Sequence, residues 1–152
     1  MISYRTEHIS ISVLMKGMAE GHITTRQHDI FTGRYVAHSI GNPLREFNRE
    51  DFITSIFAGM PVYPLTFDGT VRPWKVIHGK LQLDAIREFW EGEFMISRSR
   101  YLPLPEPQHF KELPFILRRR FEITKVPCFV INPPTSRFEI EDIKTYFKTF
   151  YD

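Results

Sequence analysis

The stretch that most constrains this chain runs from Trp74 to Gly92. Trp74, Val76 and Ile77 carry the aromatic and β-branched content that a strand favours. Gly79 follows as a tight turn. Leu83, Ile86, Phe89 and Trp90 then recur at helical spacing, with Asp84, Arg87, Glu88 and Glu91 on the rest of the surface. Gly92 supplies the stop. A strand that feeds a helix through a glycine turn aims backbone N–H groups at one point, and such a point attracts anions. The plainer alternative is a structural strand–turn–helix whose glycine only relieves the turn.

The segments before it read as follows. Ile11, Leu14, Met15 and Met18 place a short helix over 9–20, stopped by Gly21 and expected at the domain edge. Ile30-Phe31 and Arg34-Tyr35-Val36 suggest a hairpin around Gly33, and Gly41-Asn42-Pro43 a turn. Asn48 caps a helix whose apolar face is Phe52, Ile53, Ile56 and Phe57, with Gly59 at its end. Met60 to Phe67 is extended, and its prolines argue for an edge strand or a strand entry. Met60, Val62, Tyr63 and Leu65 near that edge could serve a protein partner. Asp68-Gly69-Thr70 is a turn that makes the flanking strands antiparallel neighbours.

Beyond Gly92, a proline-rich loop spans 102–108, too short and mixed for a domain linker. One or two short helices over 110–121 break at Pro114. Val126 to Ile131 is a strand, Asn132-Pro133-Pro134-Thr135 ends it, and a closing helix from Phe138 to Phe150 turns Ile140, Ile143, Phe147 and Phe150 inward. These signals describe one α+β domain over 1–152, a small mixed sheet packed with helices.

Composition bounds the function. Of 152 residues, 42% are apolar and 14% aromatic, enough for a packed core. The formal charge of +2 does not by itself mark a nucleic-acid partner, although clustering can still build a basic face. The single cysteine, Cys128, lies in Val126-Pro127-Cys128-Phe129-Val130 and reads as core; with no second cysteine, a reducing compartment is expected. No apolar run approaches the roughly 20 residues of a membrane span, and Met1 to Arg5 has no signal-peptide character. A soluble cytoplasmic protein with no membrane partner is expected. His8, His22, His28, His38, His78 and His109 show no ligand spacing, so no metal site is expected.

Several ordered segments carry a resemblance. Gly21-His22-Ile23 matches a Gly-x-Ile mark after an opening helix. Phe52-Ile53-Thr54-Ser55-Ile56-Phe57-Ala58-Gly59-Met60-Pro61-Val62 follows a pattern L-I-x-S-I-x-x-G-x-P-I. Val76-Ile77-His78-Gly79-Lys80-Leu81-Gln82-Leu83 lies where V-I-D-G-Q-Q-R-L would lie. Phe110-Lys111-Glu112-Leu113-Pro114, Leu117-Arg118-Arg119-Arg120-Phe121 and the strand to Ile131 continue it. The chain resembles, over nearly its whole length, the N-terminal domain of GmrSD-type restriction endonucleases, within the ParB/sulfiredoxin-like superfamily. The resemblance implies that fold.

The departures from the family's pattern look like a retained fold without the ancestral chemistry. The family's aspartate and arginine of D-G-Q-Q-R are linked to nucleotide binding and hydrolysis. Here the aspartate position is His78, the glutamines are Lys80 and Leu81, and the arginine is Gln82; only Gly79 is kept. The family's Gln-Arg-x-aromatic-x-Trp segment is eroded too. Arg45-Glu46-Phe47 keeps an Arg-x-Phe without the tryptophan, and Gly33-Arg34-Tyr35-Val36 competes for the same role. The R-L-N of the family's closing F-x-R-L-N becomes Thr149-Phe150-Tyr151.

Two functions from different classes therefore stand. In the first, a catalytically degenerate domain acts by binding nucleic acid or a protein complex, as a phage or mobile-element accessory or counter-defence protein set against a defence or partition system. Its phosphate or nucleotide contacts are Gly79, Lys80 and Arg45, since a lysine beside a glycine turn holds a phosphate as a point charge. Its nucleic-acid contacts are Arg98, Arg100, Tyr101, Arg118 and Arg119, where arginine beside tyrosine suits phosphate contact and base stacking. A solvated face is the plainer reading of Arg118 to Arg120, because consecutive helical residues diverge. In the second, an active nucleotidase or nuclease uses a rearranged site at His78, Lys80, Gln82 and Arg45, with a nucleoside triphosphate and magnesium. Against it, magnesium chemistry wants a carboxylate, while Asp84 lies well into the helix and Asp68 in a turn.

Overall fold

The computed structural model describes residues 1–25 and 47–150. The expected hairpin over 30–36, the turn at 41–43 and Arg45 lie outside the described residues. Strand β1 (Tyr4–Ser10) passes directly into helix α1 (Ile11–Ala19), and β2 (Ile23–Thr24) follows. Then come α2 (Arg49–Phe57), β3 (Leu65–Asp68), β4 (Trp74–His78) and α3 (Lys80–Trp90). A short 3₁₀ turn (Phe110–Glu112), α4 (Phe115–Ile123), β5 (Lys125–Ile131) and α5 (Arg137–Phe150) complete the chain. The five strands form one mixed sheet in the order β1-β5-β3-β4-β2. The architecture is the expected single α+β domain.

Local chemistry sets the helix ends. The Ser10 hydroxyl accepts the Val13 backbone N–H at 3.3 Å and starts α1, as Asn48 Oδ1 does for α2 through Asp51 N–H at 3.1 Å. Ser136 and Glu139 exchange hydrogen bonds in a capping box ahead of α5. Pro114 separates the 3₁₀ turn from α4, as its missing N–H requires.

Three expectations are corrected. Residues 4–10 are a strand, so the first helix begins at Ile11. Tyr-Arg-Thr-Glu-His shows no apolar alternation because β1 is an edge strand, held chiefly by its backbone ladder from Tyr4↔Ile131 to Ser10↔Lys125. Helix α1 does not sit at the domain edge: Ile11, Leu14 and Met15 enter the main core. Of the two alternatives for Met60 to Phe67, the strand entry holds and the edge strand does not. Strand β3 lies between β5, parallel to it, and β4, antiparallel to it, and all four residues are buried. Pro61 and Pro64 precede it and remove no ladder bond. Leu65 is therefore fully buried and offers nothing to a partner, and Val62 is buried too, while Met60 and Tyr63 stay exposed.

The core has two parts. On one sheet face, Leu65, Phe67, Val76, Val126 and Cys128 meet the apolar sides of α1 to α4. Phe57, Phe89 and Phe121 pack there with ring centroids 5.3 to 6.3 Å apart. Ile131 is an odd number of residues from Cys128 and so faces the other side. It joins Ile140 and Ile143 of α5, with Ile77 and Phe147 against them. Phe150 does not turn inward; it is 68% exposed, because the inward stripe of α5 ends at Phe147.

Candidate functional site

The glycine turn forms at the junction of β4 and α3, as the sequence pattern requires. Gly79 adopts φ +94, a left-handed conformation that favours glycine, and precedes the first residue of α3. A Cβ on Gly79 would stand 2.4 Å from Leu65 Cδ2. The turn is thus packed onto the neighbouring strand, and glycine serves that close approach as well as the backbone angle. The Leu83 N–H returns to the Gly79 carbonyl at 3.0 Å.

The side chains around the turn point to different neighbours. His78 lies opposite Thr66 on β3, and its ring stacks on Phe147 of α5 with centroids 4.4 Å apart and planes 10° from parallel. The closing helix therefore lies over the imidazole. Lys80 reaches Asp84, one helical turn on, at 3.7 Å. Gln82 is half-buried on α3. Arg45 is outside the described residues.

Asp84, although it lies well into the helix, returns to the turn through Lys80. Its side chain and that of Lys80 are each only 20% exposed. Arg87 approaches its other oxygen at 3.8 Å. Burial pushes the Asp84 carboxyl above its ordinary value of 3.8; Lys80 and then Arg87 pull it back, Glu88 adds to the rise, and a Thr25 hydrogen bond lowers it. The signal was present in the sequence: positions i and i+4 on a helix face one another. Arg87 also meets Glu91 at 3.0 Å, and Arg49 of α2 meets Glu88 at 2.8 Å while lying over the Phe94 ring. The polar face of α3 is a run of ion pairs.

The candidate nucleic-acid contacts divide. Ser99 and Leu102 exchange backbone hydrogen bonds at 3.0 and 3.1 Å, which puts Arg100 and Tyr101 at the tip of a two-residue turn. Leu102 is fully buried and anchors that turn. Arg98, Arg100 and Tyr101 lie at the surface, and the Arg100 guanidinium lies 5.8 Å from the Tyr101 ring centroid. On α4 the three arginines diverge as helical geometry demands. Arg118 is half-buried, with its Nε enclosed and lacking an acceptor among the described residues. Arg119 is exposed and 3.6 Å from Glu122. Arg120 borders an open depression of about 480 Å³ with Met60, Val62 and Lys125. A second depression, about 600 Å³, lies at Phe47 to Asp51. Neither is lined by His78, Lys80 or Gln82.

Cys128 is fully buried and its thiol is pushed up to about 12, chiefly by burial; it belongs to the core, as expected. Among the described residues, no group of three His, Cys, Asp or Glu side chains is placed to hold a metal ion. No described helix is long and apolar enough to cross a membrane. No family model, no curated protein and no solved structure matches this chain.

Proposed function

We propose that this chain is a non-catalytic ParB-like domain that acts by binding nucleic acid. One observation carries the reading: at the turn where the resembled family does its chemistry, His78 stacks beneath α5 and Gly79 is packed on Leu65. Both are engaged in holding the fold. The nearest carboxylate along the chain, Asp84, is already bracketed by Lys80 and Arg87. Arg98, Arg100 and Tyr101 supply the cations and the ring that a phosphate backbone and an unstacked base would meet. Recognition then takes place away from the glycine turn, on a tip held by Ser99 and Leu102.

The test is fluorescence anisotropy with labelled single- and double-stranded oligonucleotides at low and moderate salt. Binding that weakens steeply with salt supports the reading, and Arg98→Ala with Arg100→Ala should reduce the salt slope by about 2, one for each phosphate no longer neutralised. No binding at low salt, where electrostatic attraction is strongest, refutes it. Capture of a protein complex in place of nucleic acid would move the function to the other partner class that the resemblance implies.

A second reading rests on Asp84. A half-buried carboxylate beside Lys80 and close to Gly79 is the metal-holding acid that a rearranged nucleotidase would need. It requires magnesium-dependent turnover that is lost in both Asp84→Asn and Lys80→Ala.

A further inference from the structure

At the opposite end of β4 from Gly79, two arginines converge on one indole. Arg5 comes from the edge strand β1, and its guanidinium carbon lies 5.4 Å from the Trp74 ring centroid. Arg72, in the β3–β4 turn, lies 5.7 Å from the same centroid. Trp74 is fixed in place: its backbone N–H donates to the His22 carbonyl at 2.9 Å, and its ring packs against Phe67 at 5.9 Å. The residue is half-buried, so part of it meets solvent.

The charges here are unevenly compensated. Arg5 Nε is held by Glu7 at 2.7 Å, and its Nη1 bonds Asn132 Oδ1. Asp68 is buried between Phe67 and the turn, but its carboxylate is taken by the Thr70 N–H at 3.0 Å and by the Thr70 hydroxyl. Arg72 is exposed and makes no ion pair among the described residues. Like charges repel, and a cation–aromatic contact recovers only about 0.5–1 kcal/mol at an exposed site. Because Glu7 already compensates Arg5, the unbalanced cation here is Arg72, where an anion is favoured, and guanidinium is the side chain whose fork matches phosphate. The part of the indole that Phe67 and the two guanidiniums leave uncovered adds an apolar surface that a nucleobase can use.

We propose that Arg72 and Trp74, with Arg5 beside them, form a contact for single-stranded nucleic acid, with a backbone phosphate at the Arg72 guanidinium and a base against the part of the indole left uncovered. This extends the nucleic-acid reading above and rests on it. A single strand is favoured over a duplex because only unstacked bases present a free face to an aromatic ring. Arg5 and Trp74 lie on strands that the sheet holds in register.

The sequence contains two tryptophans, which permits a direct test. Trp90→Phe keeps a ring against Phe110 and leaves Trp74 as the sole indole reporter. A 20-nucleotide oligothymidine labelled at one end is titrated at low salt, with anisotropy and indole emission read together. Bound oligonucleotide should quench Trp74, and Arg72→Ala in the unaltered background should weaken binding about 3- to 10-fold and lower the salt slope by about 1. Binding with unchanged Trp74 emission and no effect of Arg72→Ala overturns this contact while leaving nucleic-acid binding intact. No anisotropy change at all overturns both. The Arg72→Ala arm needs no change at Trp90, so it still decides should Trp90→Phe fail to fold.

Discussion

His78 and Phe147 lie face to face, ring centroids 4.4 Å apart and planes 10° from parallel. One belongs to the strand that leads into the glycine turn, and the other to the helix that closes the chain. The contact joins α5 to the sheet beside the small cluster of Ile131, Ile140 and Ile143. Removing the Phe147 ring takes away both the stack and part of that apolar cover. Phe147→Ala should cost about 1–2 kcal/mol in urea denaturation, since the ring is only partly buried. Phe150→Ala, three residues on and 68% exposed, should stay within about 0.5 kcal/mol. Equal losses at the two positions would mean that α5 is not docked through His78.

Gly79 and Gly59 share a positive φ, +94 and +80, but not an environment. A Cβ at Gly59 meets nothing within 4 Å, whereas one at Gly79 meets Leu65 at 2.4 Å. Gly59→Ala therefore reports backbone strain alone, about 1 kcal/mol. Gly79→Ala adds displacement of a fully buried leucine and should cost at least about 1 kcal/mol more. Thermal or urea midpoints of the two variants measure the difference.

The Asp84 carboxyl is raised above 3.8 by burial. Between its ordinary and its raised value, the folded state keeps a proton that the unfolded state has released. The stability attached to that proton is complete below the unfolded value and is lost as pH rises through the folded one. Asp84→Asn should flatten this part of the stability–pH curve. Side-chain carboxyl titration by NMR should place Asp84 above an exposed aspartate; a midpoint below 3.8 would show that Lys80 and Arg87 outweigh burial.

Cys128 follows the same sign at the alkaline end. Its thiol is raised from 9.0 to about 12, so stability declines as pH climbs from about 9 toward 12, where the unfolded chain ionises first. At neutral pH the folded protein should leave a thiol reagent unreacted, and label should appear only at the rate of unfolding. Fast labelling of the native protein would place Cys128 outside the core.

Much of the fold was legible where one face of an element is apolar. The cap at Asn48, the break at Pro114, the stripe Leu83–Ile86–Phe89 and the strand around Cys128 all carry local signals. Strand β1 was not legible, because an edge strand of polar residues has a backbone ladder and no pattern. Pro61 and Pro64 left an edge strand and a strand entry both open; they sit at the entry, since the strand begins only at Leu65, and its central place in the sheet has no local signal. At the candidate site, the strand–turn–helix could be read directly. That α5 covers His78 could not, because Phe147 is far away in the sequence and its inward face gives no register on the sheet. The Arg5–Trp74–Arg72 cluster was hidden for the same reason: Arg5 comes from β1, well before the β3–β4 turn in the chain, and its side chain reaches Trp74 across the two strands that lie between β1 and β4.

The measurement that bears most directly on the central claim is calorimetry and phosphate release with nucleoside triphosphates and magnesium, run on the natural protein and on a His78→Asp, Gln82→Arg double variant. A non-catalytic binding domain should show neither saturable nucleotide binding nor phosphate release in its natural form. Turnover that persists in the natural protein and disappears in His78→Ala and Lys80→Ala would contradict it and place an active site at the glycine turn.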